Sequence, residues 1–244
     1  MFVKSIILAV GLLTPFLVAA ENVNYTSTPI HIDGVSEDAW NKATWHDMPH
    51  LMDGTHPTSD NDFQGRYRLL WDESYLYLQA SISDDVLIDT HPDPTKKYWD
   101  DDALEVFIDS DASGGNHQFN HTAFAYHIGL DNQAADYGPD QKPHLYSEHL
   151  ISRWQRQTSA PFNIIWEVAI QLFPNSYQEN GNNTPLVLDE HQVIGFMLAY
   201  CDNDGSEVRE HFMGSHEIQP VNGDKNRGYI DADVFGKITL LPKK

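Results

Sequence analysis

The chain has almost no cysteine, few basic residues and, beyond its first twenty positions, no long apolar run. Cys201 is the one cysteine in 244 residues. With no internal disulfide available, the fold must rest on its core or on bound metal. Cys201 follows the apolar stretch 193–200, so it reads as a buried, inert thiol. Lys and Arg number 15 against 36 Asp and Glu, a formal charge of −21. The basic face that neutralises phosphates is missing, which excludes a nucleic-acid partner. The same imbalance disfavours an anionic membrane surface. No stretch after residue 20 approaches the roughly 20 apolar residues of a membrane span. Gly-x-Ser-x-Gly, His-Glu-x-x-His and Walker motifs are all absent. Helix signals are thin: a single turn over 36–40, capped by Ser36, is the one candidate.

What is present begins with an export signal. Lys4 supplies a positive start, residues 6–18 are mostly apolar, and Val18-Ala19-Ala20 offers small residues for cleavage. Residues 1–20 therefore read as a signal peptide, and the mature protein is expected to be exported, periplasmic or secreted. Hydrophobic residues at 41% and aromatics at 11% rule out a wholly disordered chain.

Apolar residues then alternate with period two, the mark of half-buried strands. Leu76, Leu78, Ala80 and Ile82 share one face, with Tyr75, Tyr77, Gln79 and Ser81 on the other. Leu104, Val106 and Ile108 oppose Glu105, Phe107 and Asp109. The same pattern runs through Phe124 to Leu130, Trp166 to Ile170, Ile194 to Tyr200, and Ile238 with Leu240. Turn clusters rich in Asp, Asn and Gly separate these runs. The expectation is an all-β chain folded as an antiparallel β-sandwich, immunoglobulin- or jelly-roll-like, forming one domain over residues 21–244. Residues 144–160 and 175–192 read as longer insertions.

The motifs come in a characteristic order. Ile32-Asp33-Gly34-Val35 leads to Ala39-Trp40, and Leu70-Trp71-Asp72 to Tyr75-Leu76-Tyr77. Ser83-Asp84-Asp85, Trp99-Asp100-Asp101-Asp102 through Asp109, and Trp166-Glu167-Val168 follow. Gly195-Phe196, Asp202-Asn203-Asp204 and Phe235-Gly236-Lys237 complete the series. In this order the chain resembles the family 9 carbohydrate-binding modules and the wider DOMON-like sandwiches, over residues 30–241. The resemblance implies a carbohydrate partner, held between two aromatic rings. The first matches Trp99; the second matches Tyr229, where the family has tryptophan. Glu105 and Asn226 match its polar contacts. The family's middle-strand arginine and asparagine fall near His127 and Gly129, so that part of the site is rebuilt. A monomer that binds without cleaving, and assists polysaccharide breakdown or uptake, is the implied role.

The carboxylates also point to structural Ca²⁺, which takes six to eight oxygens. Candidate ligands are Asp84, Asp102, Asp109, Asp111, Asp202 and Asp204. Asp109-x-Asp111-x-Ser113-Gly114 imitates the start of a calcium loop, but its twelfth position is Asn120. Two alternatives stand beside this reading. One is a haem- or metal-binding redox protein on the same sandwich, with Met48, Met52, Met197 or Met213 as axial ligands, or with the i, i+4 pairs His46/His50 and His117/His121 holding a transition metal. The other is a glycosidase using paired carboxylates such as Asp101 and Glu105.

Overall fold

The structure, a computed structural model, describes residues 20–158 and 162–243; the expected signal peptide lies outside the described residues except for Ala20. Fourteen strands and three short 3₁₀ turns make up the described chain. The strands are β1 (Glu21–Tyr25), β2 (His46–Asp47), β3 (His50–Gly54), β4 (Phe63–Trp71), β5 (Leu76–Asp84), β6 (Ala103–Asp109) and β7 (Phe124–Gly129). They continue with β8 (Ala134–Tyr137), β9 (Pro143–Leu145), β10 (Leu150–Arg156), β11 (Ile164–Ile170), β12 (Val193–Asp202), β13 (His211–Gly214) and β14 (Gly236–Leu240). None of the described helices is long and apolar enough to cross a membrane.

The strand order is β10-β11-β5-β4-β1-β14-β12-β6-β7-β8-β9, with β13 and β3 extending from β12 and β2 pairing β4. β1 is the joint. Asn24 and Tyr25 pair with β4, while Glu21, Asn22 and Val23 pair with β14, and both pairings are parallel. The sheet is therefore mixed, where strict alternation of antiparallel strands was expected. A strand shared by two halves of a sandwich must run alongside whichever neighbour each half presents, and here both run with it.

Period two decides the core. Leu76, Leu78, Ala80 and Ile82 of β5 meet Leu104, Val106 and Ile108 of β6, and Ile194, Phe196, Leu198 and Tyr200 of β12, in one buried cluster. The opposite faces are not solvated as half-buried strands would be. On one half, Ile30, Trp40, Leu70, Tyr77 and Ala169 form a separate buried cluster. Its polar centre is Glu167, which accepts from Trp40 Nε1 and Gln79 Nε2, each at 2.9 Å, and from the backbone N–H of Gly34 at 3.0 Å. On the other half, Phe107, Met197, Cys201 and Phe212 pack under Ile218, Ala232 and Phe235. The segment between β13 and β14 thus lies across the outer face of β6, β7 and β12, and this is where the site forms.

Two local expectations are corrected. The turn near Trp40 spans Asp38–Lys42 and has no side-chain cap. Ser36 is drawn instead into bonds with Arg68 Nη2 at 2.8 Å and Gln79 Oε1 at 3.4 Å. Within the insertion expected over 144–160, residues 150–156 form a strand of the sheet: β10 pairs with β11 over seven residues, from Leu150↔Ile170 to Arg156↔Ile164.

Candidate functional site

Glu105 and Phe107 leave β6 on the face away from the main core, as their alternation with Leu104 and Val106 requires. Across β7, Glu105 faces His127, and His127 Nε2 lies 3.0 Å from Glu105 Oε2. Both residues are buried, and His127 Nδ1 has no partner among the described residues. Above them stands the turn that precedes β6. Its Tyr98 is buried and packs edge-on against both His127, at 4.8 Å, and Trp99, at 5.0 Å. Trp99 is thereby held half-exposed at the rim.

The facing wall comes from residues 226–229. Neutral His117 fixes it: its Nε2 lies 2.8 Å from the Gly228 carbonyl, so Nε2 carries the proton. Burial holds the His117 pKa below its ordinary value, which keeps the ring neutral. The backbone N–H of His117 also donates to Ile230 O at 2.9 Å. Gly228 lies flat on the outer face; a Cβ there would stand 2.5 Å from Phe107 Cε1 and 2.7 Å from Met197 Cε. This close approach leaves Tyr229, 36% exposed, projecting beside Asn226.

The result is one cavity of about 370 Å³, walled by Trp99, Glu105, His127, Asn226 and Tyr229. All five residues assigned to binding from the sequence meet on it. That volume falls within the roughly 300–1,000 Å³ of small-molecule sites. Other walls had no local sequence signal. Gln118 and Phe119 come from the loop after β6, Asp136 and Tyr137 from β8, and Arg209 from the loop after β12. Burial pushes the Asp136 carboxyl up to about 7, although the N–H groups of Ala125 and Tyr137 donate to it. Arg209 is buried, donates to Cys201 Sγ at 3.3 Å and to Asp53 Oδ2 at 3.1 Å, and stacks on Phe212 at 3.9 Å. Glu105, His127 and Cys201 bring one ligand atom each within 4.8 Å of one another. Burial pushes that thiol up to about 12, however, and the guanidinium on its sulfur repels a metal cation. Chemically, the cavity pairs aromatic faces with a carboxylate, an imidazole and an amide, an arrangement for a ring with one apolar face and hydroxyls at its edge.

A second constellation closes the end of the main core. Asp84, Asp102 and Asp202 continue the core-facing rows of Ile82, Leu104 and Tyr200, so period two turns all three carboxylates inward. Asp84, Asp202 and Asp204 each place an oxygen within 4.8 Å of the others, and Asp62, Asp85 and Asp204 do likewise. Burial, reinforced by mutual repulsion, pushes Asp102 up to about 8 and Asp202 to about 9. Burial pushes Asp84 up to about 6, against the pull of the Tyr200 hydroxyl that donates to it at 2.7 Å. Both oxygens of Asp202 and Oδ1 of Asp84 are buried without a partner among the described residues. An orphaned set of hard anionic oxygens fits a cation such as Ca²⁺. Asp102 stands beside the set with its oxygens already accepting from the N–H groups of Ile88 and Asn203.

Asp109 and Asp111 do not join that cluster. They sit at the far end of β6 and spend their oxygens on a turn. Asp109 accepts from Gly114 N at 2.7 Å, and Asp111 from Ser113 N at 3.1 Å and Asn175 Nδ2 at 2.9 Å. The i, i+4 histidines do not converge either. His46 pairs with Glu21, His50 with Glu217, His117 with Gly228 and His121 with Glu179. Met48 and Met213 are buried in the main core, and Met52 and Met197 in the outer cluster. Asp101 turns away from the cavity. Burial raises its pKa, but donation from Thr90 and His91 outweighs this and holds it below the ordinary value, which unfits it as a proton donor beside Glu105.

Comparison with known proteins follows the same lines. The family model described as carbohydrate family 9 binding domain-like matches residues 32–243. Endo-1,4-beta-xylanase A of Thermotoga maritima is 34% identical over 82 residues, 34% of this chain and 7% of its own length. Endo-1,4-beta-xylanase C of Paenibacillus barcinonensis is 25% identical over 214 residues, 87% of this chain and 16% of its own length. The chain thus spans a small part of the curated relatives it matches. A family 9 carbohydrate binding module from Caldicellulosiruptor kristjanssonii, solved in complex with cellotriose, has the same fold, with a TM-score of 0.65. It is 18% identical, and the match covers 93% of this chain and 95% of that one.

Proposed function

The chain belongs to the carbohydrate family 9 binding domain-like family, and from that membership we propose that it binds a sugar, without cleaving it, between Trp99 and Tyr229. The observation that carries the reading is the one cavity on which both rings meet Glu105, His127 and Asn226. A pyranose presents apolar C–H faces to the rings, and its hydroxyls donate to the Glu105 carboxylate in a bond stronger than a neutral pair. Asn226 both donates and accepts. Tyr229 offers less stacking area than the tryptophan it replaces. The family's middle-strand arginine and asparagine fall near His127 and Gly129 here, and Arg209 brings a guanidinium to the same cavity from another element. The sugar preferred here therefore follows these residues.

Asp136 is the other carboxyl on this cavity, and its oxygens are already taken by the N–H groups of Ala125 and Tyr137, which supports binding over hydrolysis. In this reading the protein is exported, periplasmic or secreted, acts as a monomer, and assists the breakdown or uptake of polysaccharide. Asp84, Asp202 and Asp204 hold Ca²⁺, which neutralises carboxylates that otherwise repel one another at the end of the core.

Calorimetric titration with glucose, xylose, galactose and their β-linked oligomers tests the proposal. At least one series is expected to bind, and Trp99→Ala to weaken it about thirtyfold, the loss of an aromatic anchor worth about 2 kcal/mol. Absence of binding across the panel, or an unchanged affinity in Trp99→Ala, contradicts it.

A further inference from the structure

A second depression, of about 440 Å³, lies beside the first cavity. Two segments wall both. The loop that gives Gln118 and Phe119 to the first cavity gives Asn116 and Asn120 to the second, and Tyr137 and Pro139 divide in the same way. Only this loop and the end of β8 separate them. Between them stand Phe119, 36% exposed, and Tyr137, with ring centroids 6.0 Å apart. An exposed aromatic there offers an apolar surface between two polar hollows.

The lining chemistry is that of neutral hydroxyl recognition. Asn116 and Gln178 contribute carboxamides, Asn175 an amide oxygen and Tyr177 an aromatic ring, while Asn120 is spent on Asn116 O and Thr122. No Lys or Arg lines the depression, so an anionic ligand finds no counter-charge. Glu179 is fixed as an acceptor by Tyr146 Oη at 2.7 Å and His121 Nε2 at 2.9 Å. Two lining residues hold buried atoms without a partner among the described residues: His121 Nδ1 and Asn175 Oδ1. The Asn175 amide is oriented by donation to Asp111 Oδ2 at 2.9 Å and Ser113 Oγ at 3.3 Å, so its free oxygen is not a matter of rotation. Unsatisfied buried polar atoms are costly and call for a partner.

We propose that this depression is an extension subsite, taking the further rings of an oligosaccharide whose end is held between Trp99 and Tyr229. The ligand class is then a linear, neutral oligosaccharide rather than a monosaccharide. The inference rests on the reading of the first cavity given above. The chain of sugars passes over Phe119 and Tyr137 and spends its hydroxyls on the amides beyond.

Calorimetry with glucose, cellobiose and cellotriose, and with xylose, xylobiose and xylotriose, tests it on the wild type and on an Asn116→Ala/Gln178→Ala double variant. Neither side chain makes a hydrogen bond within the described protein, so the fold is not burdened by the change. In the better-bound series, affinity is expected to rise about tenfold or more from monomer to trimer. The double variant is expected to lose that gain while its monosaccharide affinity stays the same. Equal affinity for monomer and trimer in the wild type, or a length dependence that survives in the double variant, overturns the subsite and leaves the first cavity standing. Failure of every sugar in both series to bind overturns the first cavity, and the subsite with it.

Discussion

At the scale of single residues, the site depends on what alternation puts on the outer face of β6 and β7. Glu105 and His127 were readable because their neighbours Leu104, Val106, Tyr126 and Ile128 are unmistakably core. Asp136 and Arg209 were not, since neither lies near Glu105 in sequence and each reaches the cavity only through strand pairing. Asp136 has a measurable consequence. Burial pushes its carboxyl from an ordinary 3.8 up to about 7. Between those values the folded chain keeps a proton that the unfolded chain has released, so stability falls as pH rises through the window. In Asp136→Asn, the decline in Tm between pH 4 and 7, measured with calcium in excess, is expected to be shallower than in the wild type. Identical slopes contradict the assignment.

At the scale of elements, strands with clear alternation could be placed from the sequence and edges could not. β6 occupies the alternating run of residues 103–109. β10 was hidden because an edge strand with one covered face mixes Leu150 and Trp154 with Ser152, Arg153 and Gln155. Ser36 misled for another reason: a cap competes with other partners, and buried Arg68 offered a stronger one. The loop carrying Tyr229 owes its place to Gly228, which a local reading treats as a turn residue and the packing makes a contact residue. Gly228→Ala drives a methyl into Phe107 and Met197 and lifts the loop. It is expected to cost about 1–3 kcal/mol of stability by overpacking, and to reduce sugar affinity more than Tyr229→Phe does. Denaturant midpoints and calorimetry on the two variants check both halves of this expectation.

At the scale of the whole molecule, an acidic chain without disulfides closes one end of its core with carboxylates. The sequence showed their density but not their grouping. Asp84 and Asp202 are brought together by the sandwich, while Asp109 and Asp111, the pair with the best local spacing, serve a turn. On the proposed reading, chelation removes a Ca²⁺ bound at this end of the core. A ligand held at about a hundred times its Kd stabilises by about 2.7 kcal/mol, so EGTA is expected to lower Tm by roughly 5–10 °C for a domain of this size. An unchanged Tm contradicts a structural calcium.

The central claim, a sugar ring lying between two aromatic faces, is tested most directly by proton NMR of the ligand. On titration with the wild-type protein, the ring C–H resonances of a bound pyranose should move upfield under the shielding of Trp99 and Tyr229. In Trp99→Ala, at protein concentrations that restore saturation, most of that movement should vanish. Upfield shifts of equal size in the variant, or none in the wild type at saturation, would contradict the account.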